Sequence, residues 1–381
     1  MFSILKKTLK MIGITIAAAI TLLVIVGVLF VNFSPEFGGK SSPEKMESFK
    51  KTGHFEEGIF VNLIETNLDM SFGKMVSTMQ QMIKGSPNKR PTFDIPVQHV
   101  DSMTLVQNTK TELIWFGHSA FLLQMEGMNI LIDPMFGDVP APHPFLGQSR
   151  YGKSLPISIE KLPQIDAIII SHDHYDHLDY GSIQKLKGKT KMFYVPLGVG
   201  AHFESWGIDK SAIVELDWWG DVSLNNLKFT FAPSRHFSGR GLTDRNTTLW
   251  GSWIITSEKE NIYFSGDGGY GPHFKEIGEK YGPFDLAMLE CGQYNDNWSE
   301  IHMKPEESAQ AGKDVNAKKI MPIHWGAFTL SLHTWTDPVE RIIKKANELN
   351  VDVITPIIGE PIFIGKDAPD YHQQWWIPKA K

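Results

Sequence analysis

The sequence predicts a layered α/β domain that follows a single membrane-spanning helix. Short apolar runs that end in polar, Gly or Pro residues predict strands, and helical stretches between them predict the layers. The charge-free run over residues 11–31 predicts the membrane helix. With 381 residues, of which 42% are hydrophobic and 21% charged, the chain is long enough for one large domain or two ordinary ones. It is neither disordered nor fibrous.

The net charge argues against nucleic acid as a partner, and the cysteine content excludes several kinds of metal site. The formal net charge of -6 gives no bulk electrostatic reason to expect nucleic acid as a partner. The single cysteine, Cys291, cannot form an intramolecular disulfide, and it excludes zinc sites and iron–sulfur clusters that need several thiolates. The positions of the 14 histidines therefore carry more information than the cysteine.

Residues 11–31 predict a transmembrane anchor. At about 1.5 Å per helical residue they would span roughly 30 Å, the thickness of one hydrocarbon core. Lys6, Lys7 and Lys10 precede the run, which predicts a cytoplasmic N-terminus and a catalytic domain on the extracytoplasmic side. A cleaved signal peptide is the competing interpretation. The length of the run and the lack of a small-x-small site after it favour the anchor.

The domain organisation follows from changes in composition. Residues 1–34 are predicted to form a cytoplasmic basic tip and the transmembrane anchor, and residues 35–51 a linker rich in Ser, Gly, Pro and charge. Residues 52–110 predict an N-terminal extension packed on the domain, with methionine-rich helical spacing over 70–83. Those methionines fill core or, alternatively, face lipid. Residues 111–381 predict the α/β domain.

Eleven apolar runs within this domain predict strands, and four helical stretches lie between or after them. The predicted strands are 113–116, 120–125, 129–132, 167–170, 191–195, 227–232, 252–256, 262–264, 286–289, 320–323 and 352–355. The predicted helices are 180–186, 274–280, 305–315 and 337–349.

A cluster of candidate metal ligands directly follows the strand 167–170. Residues 171–179 read Ser-His-Asp-His-Tyr-Asp-His-Leu-Asp. In an extended loop residues two apart point the same way, so His172 and His174 can share one metal, while the turn into the next helix aims Asp176 and His177 elsewhere. Such ligands suit zinc, with manganese or iron as borderline alternatives. A plain polar turn is disfavoured because clustering these groups without a cation adds desolvation costs.

Three further candidate ligands, His236, Asp267 and His324, each follow a later apolar strand. Strand ends in a layered α/β fold converge on one edge, so these side chains can meet. Taken singly, His236 or His324 is more often an ordinary hydrogen-bonded histidine than a ligand. As a set with residues 172–177, they predict a site for two metal ions.

This pattern resembles the signature of the metallo-β-lactamase superfamily, His-x-His-x-Asp-His followed by a later His, Asp and His. More closely, the chain resembles the N-acyl-phosphatidylethanolamine-hydrolysing phospholipase D family. The resemblance covers roughly residues 113–328 and is carried by segments 117–119, 131–134, 170–180, 215–219, 249–253, 266–270, 282–286 and 323–326. The fold it implies is a four-layer αββα sandwich, here preceded by the transmembrane helix, with two zinc ions in a shallow cleft at one edge.

The resemblance implies a role for each candidate residue. One zinc ion would take His172, His174 and His236, and the other Asp176, His177 and His324, with Asp267 bridging both. His302 matches a further active-site histidine that binds substrate oxygen or assists proton transfer, and its alternative is an exposed histidine beginning a helix. His118 and Asp133 match residues that orient ligands. Two positions depart from the family: Gly268 stands where Thr is frequent, and residues 290–294 differ from the mammalian enzymes.

The implied function is hydrolysis of N-acylphosphatidylethanolamine-like membrane phospholipids by a phosphodiesterase of the phospholipase D type. A hydroxide bridging the two zinc ions would be the nucleophile, with Asp267 and His302 as candidates for proton transfer. Two alternatives stay open: hydrolysis of another ester, lactone or phosphodiester in the same fold, and a non-catalytic membrane-tethered binding module. The last is disfavoured because every predicted ligand is present. The oligomeric state stays open, and Trp375 and Trp376 can pack on the domain or touch lipid.

Overall fold

The computed structural model describes residues 2–67, 72–365 and 369–378. The α-helices among these residues are α1 (Phe2–Phe33), α2 (Pro43–Phe49), α3 (Phe72–Lys84), α4 (Ser102–Gln107), α5 (Tyr180–Leu186), α6 (Gly200–Ser205), α7 (His273–Tyr281), α8 (Pro305–Asp314) and α9 (Asp337–Leu349). Met70, where the predicted methionine-rich helix begins, lies outside the described residues.

The strands among the described residues form a two-stranded hairpin and two larger sheets. They are β1 (Phe55–Glu56), β2 (Ile59–Phe60), β3 (Glu112–Trp115), β4 (Phe121–Met125), β5 (Met128–Ile132), β6 (Ile165–Ile169), β7 (Thr190–Pro196), β8 (Ile213–Leu216), β9 (Asp221–Leu224), β10 (Leu227–Ala232), β11 (Ser252–Thr256), β12 (Asn261–Phe264), β13 (Leu286–Glu290), β14 (Lys319–Ile323), β15 (Asp352–Val353) and β16 (Pro361–Phe363).

Two seven-stranded sheets pack face to face, in the orders β16-β3-β4-β5-β6-β7-β8 and β15-β14-β13-β12-β11-β10-β9. Their inner faces share one apolar core, in which the ring of Phe121 on β4 lies 6.3 Å from that of Phe264 on β12. The outer face of the first sheet is covered by α5 and α6, and that of the second by α8 and α9. This α-β-β-α layering confirms the predicted fold class.

Parallel strands at the centre of each sheet position the functional edge. β5, β6 and β7 run parallel in the first sheet, and β12, β13 and β14 run parallel in the second. All five residues of β6 are buried, as expected for a parallel strand covered on both faces. The loops that follow these strands therefore gather at one edge of the sandwich.

Residues 35–51, expected to be a linker, instead fold against the domain. Ser42 caps α2 by accepting the backbone N–H of Lys45 at 3.3 Å, and Pro43 occupies the first turn. Phe49, at the end of α2, is buried against Phe55 and Phe60 of the β1–β2 hairpin. Ser and Pro, which suggest a linker by composition, here start a helix.

The helix α1 is longer than the predicted span of residues 11–31. Its most apolar stretch is not buried inside the protein, and its length and composition are sufficient to cross a membrane. The last turn reaches the domain, where the ring of Phe30 lies 5.4 Å from that of Phe37.

The C-terminal tryptophans pack back onto the domain. Trp375 stacks on Trp325 with ring centroids 5.0 Å apart, and Trp376 meets the same ring edge-on at 5.7 Å. Both side chains are buried. Because Trp325 follows His324 directly, this cluster supports the loop that carries a predicted ligand.

Candidate metal centre

The predicted metal ligands lie just beyond strand ends at one edge of the sandwich. His172, His174, Asp176 and His177 follow β6, and the other three predicted ligands follow β10, β12 and β14. The structure brings all seven side chains together there. Among the described residues, these side chains form several groups that share members, and within each group the potential ligand atoms lie within 4.8 Å of one another.

One group consists of His172, His174 and His236. The Nε2 atom of His172 lies 2.9 Å from Nδ1 of His174, which lies 3.3 Å from Nε2 of His236. In His236 and His172 the second ring nitrogen, Nδ1, has a hydrogen-bond contact of its own. Nδ1 of His236 donates to the carbonyl of Ile301 at 2.8 Å, and Nδ1 of His172 lies 2.9 Å from the hydroxyl of Ser171. These contacts turn the inner ring nitrogens toward a common point.

The second group consists of Asp176, His177 and His324. Oδ2 of Asp176 lies 3.0 Å from Nε2 of His324 and 3.6 Å from Nε2 of His177. Asp176 and His177 come from the loop after β6, and His324 directly follows β14. Folding brings their ligand atoms within 4.8 Å of one another.

Asp267 lies between the two groups. Its Oδ2 atom is 3.0 Å from Nε2 of His324 and 3.2 Å from Nε2 of His177. The same oxygen is 3.9 Å from Nε2 of His172 and 4.0 Å from Nε2 of His236. One carboxylate thus contacts ligand atoms of both groups, the position that a bridging ligand requires.

Burial keeps the first group neutral. It lowers the pKa of His172 and His236 well below the ordinary value, and the neighbouring imidazoles lower it further. Burial also lowers the pKa of His174 to about 4, although nearby carboxylates oppose the shift. Neutral imidazole is the form that binds a metal ion. This group is therefore in its ligand form at neutral pH.

The second group has the opposite charge balance. Burial opposes ionisation of Asp176 and Asp267, but the neighbouring histidine charges hold the pKa of both carboxyls well below the ordinary value. Against the effect of burial, the same carboxylates raise the pKa of His177 well above its ordinary value and that of His324 to about 10. Protonated His177 and His324 balance the buried carboxylates, and a divalent cation would supply that positive charge instead.

Two buried polar atoms in the cluster indicate whether its residues fit a metal ion. Nε2 of His177 and Oδ1 of Asp267 have no hydrogen-bond partner among the residues that the structure describes. An unpaired buried polar group costs on the order of 1–3 kcal/mol, which coordination to a cation would offset. The donor set of imidazoles and carboxylates is one that zinc accepts. The residues present therefore fit a metal ion.

Asp133 holds the β6 loop from below. Its carboxylate accepts the backbone N–H of Ser171 at 2.7 Å, the hydroxyl of Ser171 at 2.5 Å and Nδ1–H of His177 at 2.7 Å. Asp133 itself has a positive φ of 40°. An aspartate in this strained conformation, fully buried, is maintained only by such contacts. Its position matches the orienting role that the resemblance implies.

His118 contacts the second group from the side. Its Nε2 atom lies 2.9 Å from Oδ2 of Asp176, and its ring lies 4.2 Å from that of His324. His118 and His324 both have positive φ, at 57° and 65°. The backbone N–H of His324 donates a hydrogen bond to the carbonyl of His118 at 3.1 Å. The contact with Asp176 places His118 where it can orient that carboxylate.

His302 lies beside both groups, with its ring 5.0 Å from His236 and 5.4 Å from His324. Its Nδ1 atom bonds to Oε1 of Glu290, a carboxylate with no solvent exposure. Burial raises the pKa of Glu290, and the charge of His302 opposes that shift. With Nδ1 occupied, Nε2 is the ring nitrogen of His302 left for a substrate.

Glu290 was missed as a functional candidate by sequence reasoning. Its other oxygen, Oε2, accepts the backbone N–H of Gly268 at 2.6 Å. The available signal was a carboxylate that ends the otherwise apolar strand β13, read Leu-Ala-Met-Leu-Glu. A charged residue at the end of a buried parallel strand lies at the functional edge.

Asp173, within the same motif as the predicted ligands, faces away from the metal cluster. Its carboxylate accepts the hydroxyl of Thr248 at 2.7 Å and the backbone N–H of Gly239 at 2.8 Å. Oδ2 also lies 3.2 Å from Nε2 of His202. These bonds fasten the β6 loop to the segment that follows β10.

Comparison with known proteins identifies the class. Residues 128–325, just over half of the chain, match the family described as "Beta-lactamase superfamily domain". Together with the αββα fold and the histidine and aspartate clusters, this match shows that the chain belongs to the metallo-β-lactamase superfamily. It is a metal-dependent hydrolase of that superfamily.

Within the superfamily, the chain is a homologue of N-acyl-phosphatidylethanolamine-hydrolysing phospholipases D. It is 33% identical to N-acyl-phosphatidylethanolamine-hydrolyzing phospholipase D 1 from Caenorhabditis elegans over 259 residues. The aligned region covers 64% of this chain and 72% of the relative. The chain is 38% identical over 334 residues to an uncharacterized protein of Mycobacterium tuberculosis, covering 86% and 88%. Isothiocyanate hydrolase from Delia radicum gut bacteria shares the fold, with a TM-score of 0.54 and 21% identity over 67% of this chain and 100% of that one.

Proposed function

We propose that this protein is a dinuclear zinc phosphodiesterase of the phospholipase D type that acts on N-acylphosphatidylethanolamine-like membrane phospholipids. The observation that carries the proposal is the gathering of five imidazoles and two carboxylates, with Asp267 within 4.0 Å of both groups. The homology to the Caenorhabditis elegans phospholipase supports the choice of substrate class. The apolar helix α1 supports a substrate that resides in a membrane.

The proposed ligand set keeps the two groups apart. One zinc ion would be held by His172, His174 and His236, and the other by Asp176, His177 and His324, with Asp267 shared. Zinc in such a site supplies Lewis-acid polarisation of a phosphoryl oxygen and lowers the pKa of water. The protein fixes the orientation of three of these ligands, because Asp133 holds Nδ1 of His177, Ser171 holds Nδ1 of His172 and the Ile301 carbonyl holds Nδ1 of His236.

His302 is the proposed proton donor to the leaving group. Glu290 accepts Nδ1–H of His302 and fixes the ring, which lies 5.0 Å from that of His236 and 5.4 Å from that of His324. A ring held in this way can hold a proton at Nε2 and release it to an alkoxide oxygen. Asp267 is the other residue proposed to orient water or accept a proton, because its buried Oδ1 has no hydrogen-bond partner in the described part of the chain.

The proposed placement in the cell follows from α1. Lys6, Lys7 and Lys10 precede the apolar run, which favours a cytoplasmic N-terminus and a domain on the extracytoplasmic side. A reporter fused to the C-terminus tests this orientation. Activity of a reporter that works only outside the cytoplasm is expected, and activity only of a cytoplasm-dependent reporter would contradict it.

The substrate test incubates the full chain, in detergent micelles with zinc, with N-acylphosphatidylethanolamine, a model phosphodiester and a lactone. Release of phosphatidic acid from N-acylphosphatidylethanolamine is the expected result, and turnover of a lactone alone, with no phosphodiester cleaved, would overturn the proposal. His172→Ala should lose zinc and activity together. The matched control is His372→Ala, because His372 is exposed and remote from the cluster in the fold.

A further inference from the structure

The domain surface beside the end of α1 is apolar and exposed. Phe145 and Leu146, in the loop between β5 and β6, are 72% and 52% exposed, and Leu242, between β10 and β11, is 86% exposed. These three side chains, here termed the docking surface, come from two loops that flank the last turns of α1. Exposed leucine and phenylalanine side chains grouped around one element indicate a partner that is itself apolar.

Contacts with α1 fix the depth of this surface. The rings of Phe145 and His143 each lie 6.4 Å from that of Phe30. On the other side, Leu242 lines a cavity of about 270 Å³ together with Val28 and Val31. The docking surface therefore lies level with residues 28–31 of α1.

The apolar run shows what surrounds that level. No charge occurs between Lys10 and Glu36, and a hydrocarbon core takes about 20 helical residues. Counted from Met11, those residues end at Phe30. Side chains that contact Val28 and Phe30 consequently reach the boundary between headgroups and acyl chains, where Phe and Leu are stable.

The segment between α1 and the domain is held too tightly for the domain to swing away. Arg240 donates from Nε and Nη2 to the carbonyl of Glu36 at 2.9 and 2.7 Å, and its Nη1 donates to the carbonyl of Asp173 at 2.5 Å. Trp206 donates from Nε1 to the carbonyl of Pro35 at 2.7 Å, and the N–H of Gly39 donates to Nδ1 of His202 at 3.1 Å. Arg240 thus joins the segment that follows α1 to the loop after β6 by hydrogen bonds.

A series of contacts between aromatic rings connects the docking surface to the loop after β6, which carries predicted metal ligands. Phe145 contacts Phe30, Phe30 contacts Phe37 at 5.4 Å, and Phe37 contacts Tyr175 at 6.4 Å. Tyr175 lies between the predicted ligands His174 and Asp176 in sequence. The surface level with the bilayer boundary is therefore adjacent to the loop that carries the metal site.

We propose that Phe145, Leu146 and Leu242 insert into the bilayer that α1 crosses. They would dock the domain on the lipid surface beside the loop after β6, which carries four of the predicted ligands. The proposal rests on the membrane placement given above, and it is independent of which phosphodiester or ester is hydrolysed. The occupant is the lipid bilayer, because the surface is continuous with the only part of the described chain that is long and apolar enough to cross one.

Single-cysteine labelling tests the docking directly, because Cys291 is fully buried and does not compete for the label. An environment-sensitive fluorophore is attached to Phe145→Cys or Leu242→Cys in the full chain, reconstituted in phosphatidylcholine vesicles. Ile20→Cys reports whether α1 lies in lipid. Glu258→Cys, in the exposed turn between β11 and β12, is the control at the opposite end of the strands.

Labels at positions 145 and 242 are expected to shift to the blue and to lose emission to acyl-chain spin-labelled lipid but not to aqueous iodide. The label at position 258 should show the reverse. Quenching of the 145 and 242 labels by iodide as strongly as the control would overturn the proposal. Protection from both quenchers would also overturn it, since a protein surface such as a second copy would then cover the site. Loss of lipid quenching at position 20 would instead show that the membrane placement is wrong.

Discussion

Glu290 joins Gly268 to His302: one carboxylate oxygen accepts the Gly268 N–H at 2.6 Å, and the other bonds to Nδ1 of His302. Gly268 directly follows Asp267, the carboxylate that contacts both ligand groups. The two positions at which this sequence departs from the family pattern, Gly268 and the segment beginning at Glu290, therefore meet in the structure. Glu290 is a positioning residue that fixes the Asp267 loop and the His302 ring at once.

Replacing Glu290 by Gln should lower kcat by about 10–100-fold while zinc is retained. A carboxylate can accept both N–H groups, whereas the amide has only one acceptor oxygen and leaves one of the two buried N–H groups unpaired. Steady-state kinetics and metal content measure the two effects separately. Glu258→Gln, in an exposed turn, is the control. Loss of zinc from the Glu290→Gln variant would contradict this positioning role and would indicate that Glu290 is itself a metal ligand.

His302→Ala should lower kcat by roughly 10²–10⁴-fold and leave the zinc content unchanged, because the proposed role of the ring is proton transfer. His324→Ala, whose ring lies 5.4 Å away, should lose zinc as well as activity. Metal content and turnover of the two variants are compared in one preparation. Equal zinc loss in both would contradict the separate roles assigned to them.

Asp133→Asn should weaken zinc binding by about 10–100-fold. The carboxylate accepts three hydrogen bonds, and an amide cannot accept all of them, so the His177 ring loses its fixed orientation. Competition with a chelator gives the affinity. Asp94→Asn, which changes an exposed carboxylate paired with Lys153, is the matched control. Identical chelator curves for the two variants would argue against an orienting role.

His273 should make the fold less stable as the solution is acidified. Burial, assisted by the charge of Arg235, lowers the pKa of His273 to about 3, below the unfolded value near 6.5. The native state keeps this imidazole neutral while the unfolded chain binds a proton, so its stabilising effect is complete above about pH 6.5 and falls as the pH drops toward 3.

The measurement for His273 is the free energy of unfolding at pH 7.5 and pH 5 for the wild type and for His273→Leu. Between these values the wild type should lose about 2 kcal/mol more than the variant. Parallel pH dependence of the two proteins would show that His273 is not the titrating group.

Strong apolar runs make the inner strands predictable from sequence. The predicted strands 120–125 and 227–232 correspond to β4 and β10, whose side chains are nearly all buried. The edge strand β9 was not predicted. Its residues alternate between exposed and partly buried, so Asp221–Leu224 carries little hydrophobic signal and owes its conformation to pairing with β10.

The candidate site was predictable where residue type alone restricts the chemistry. His172, His174, Asp176 and His177 stand out because four such groups are close in sequence. Glu290 was not found, because its role depends on contacts with Gly268 and His302 that only the packed sheet creates. Likewise, the fastening of residues 35–39 to Arg240 depends on a contact between parts of the chain about 200 residues apart.

The metal content of the full chain, purified without added metal and measured by mass spectrometry, tests the central claim most directly. Two zinc ions per chain are expected, with His236→Ala and His324→Ala each losing one and Asp267→Ala weakening both. A wild type that holds a single ion, or ligand variants that bind as much zinc as the wild type, would contradict the dinuclear site.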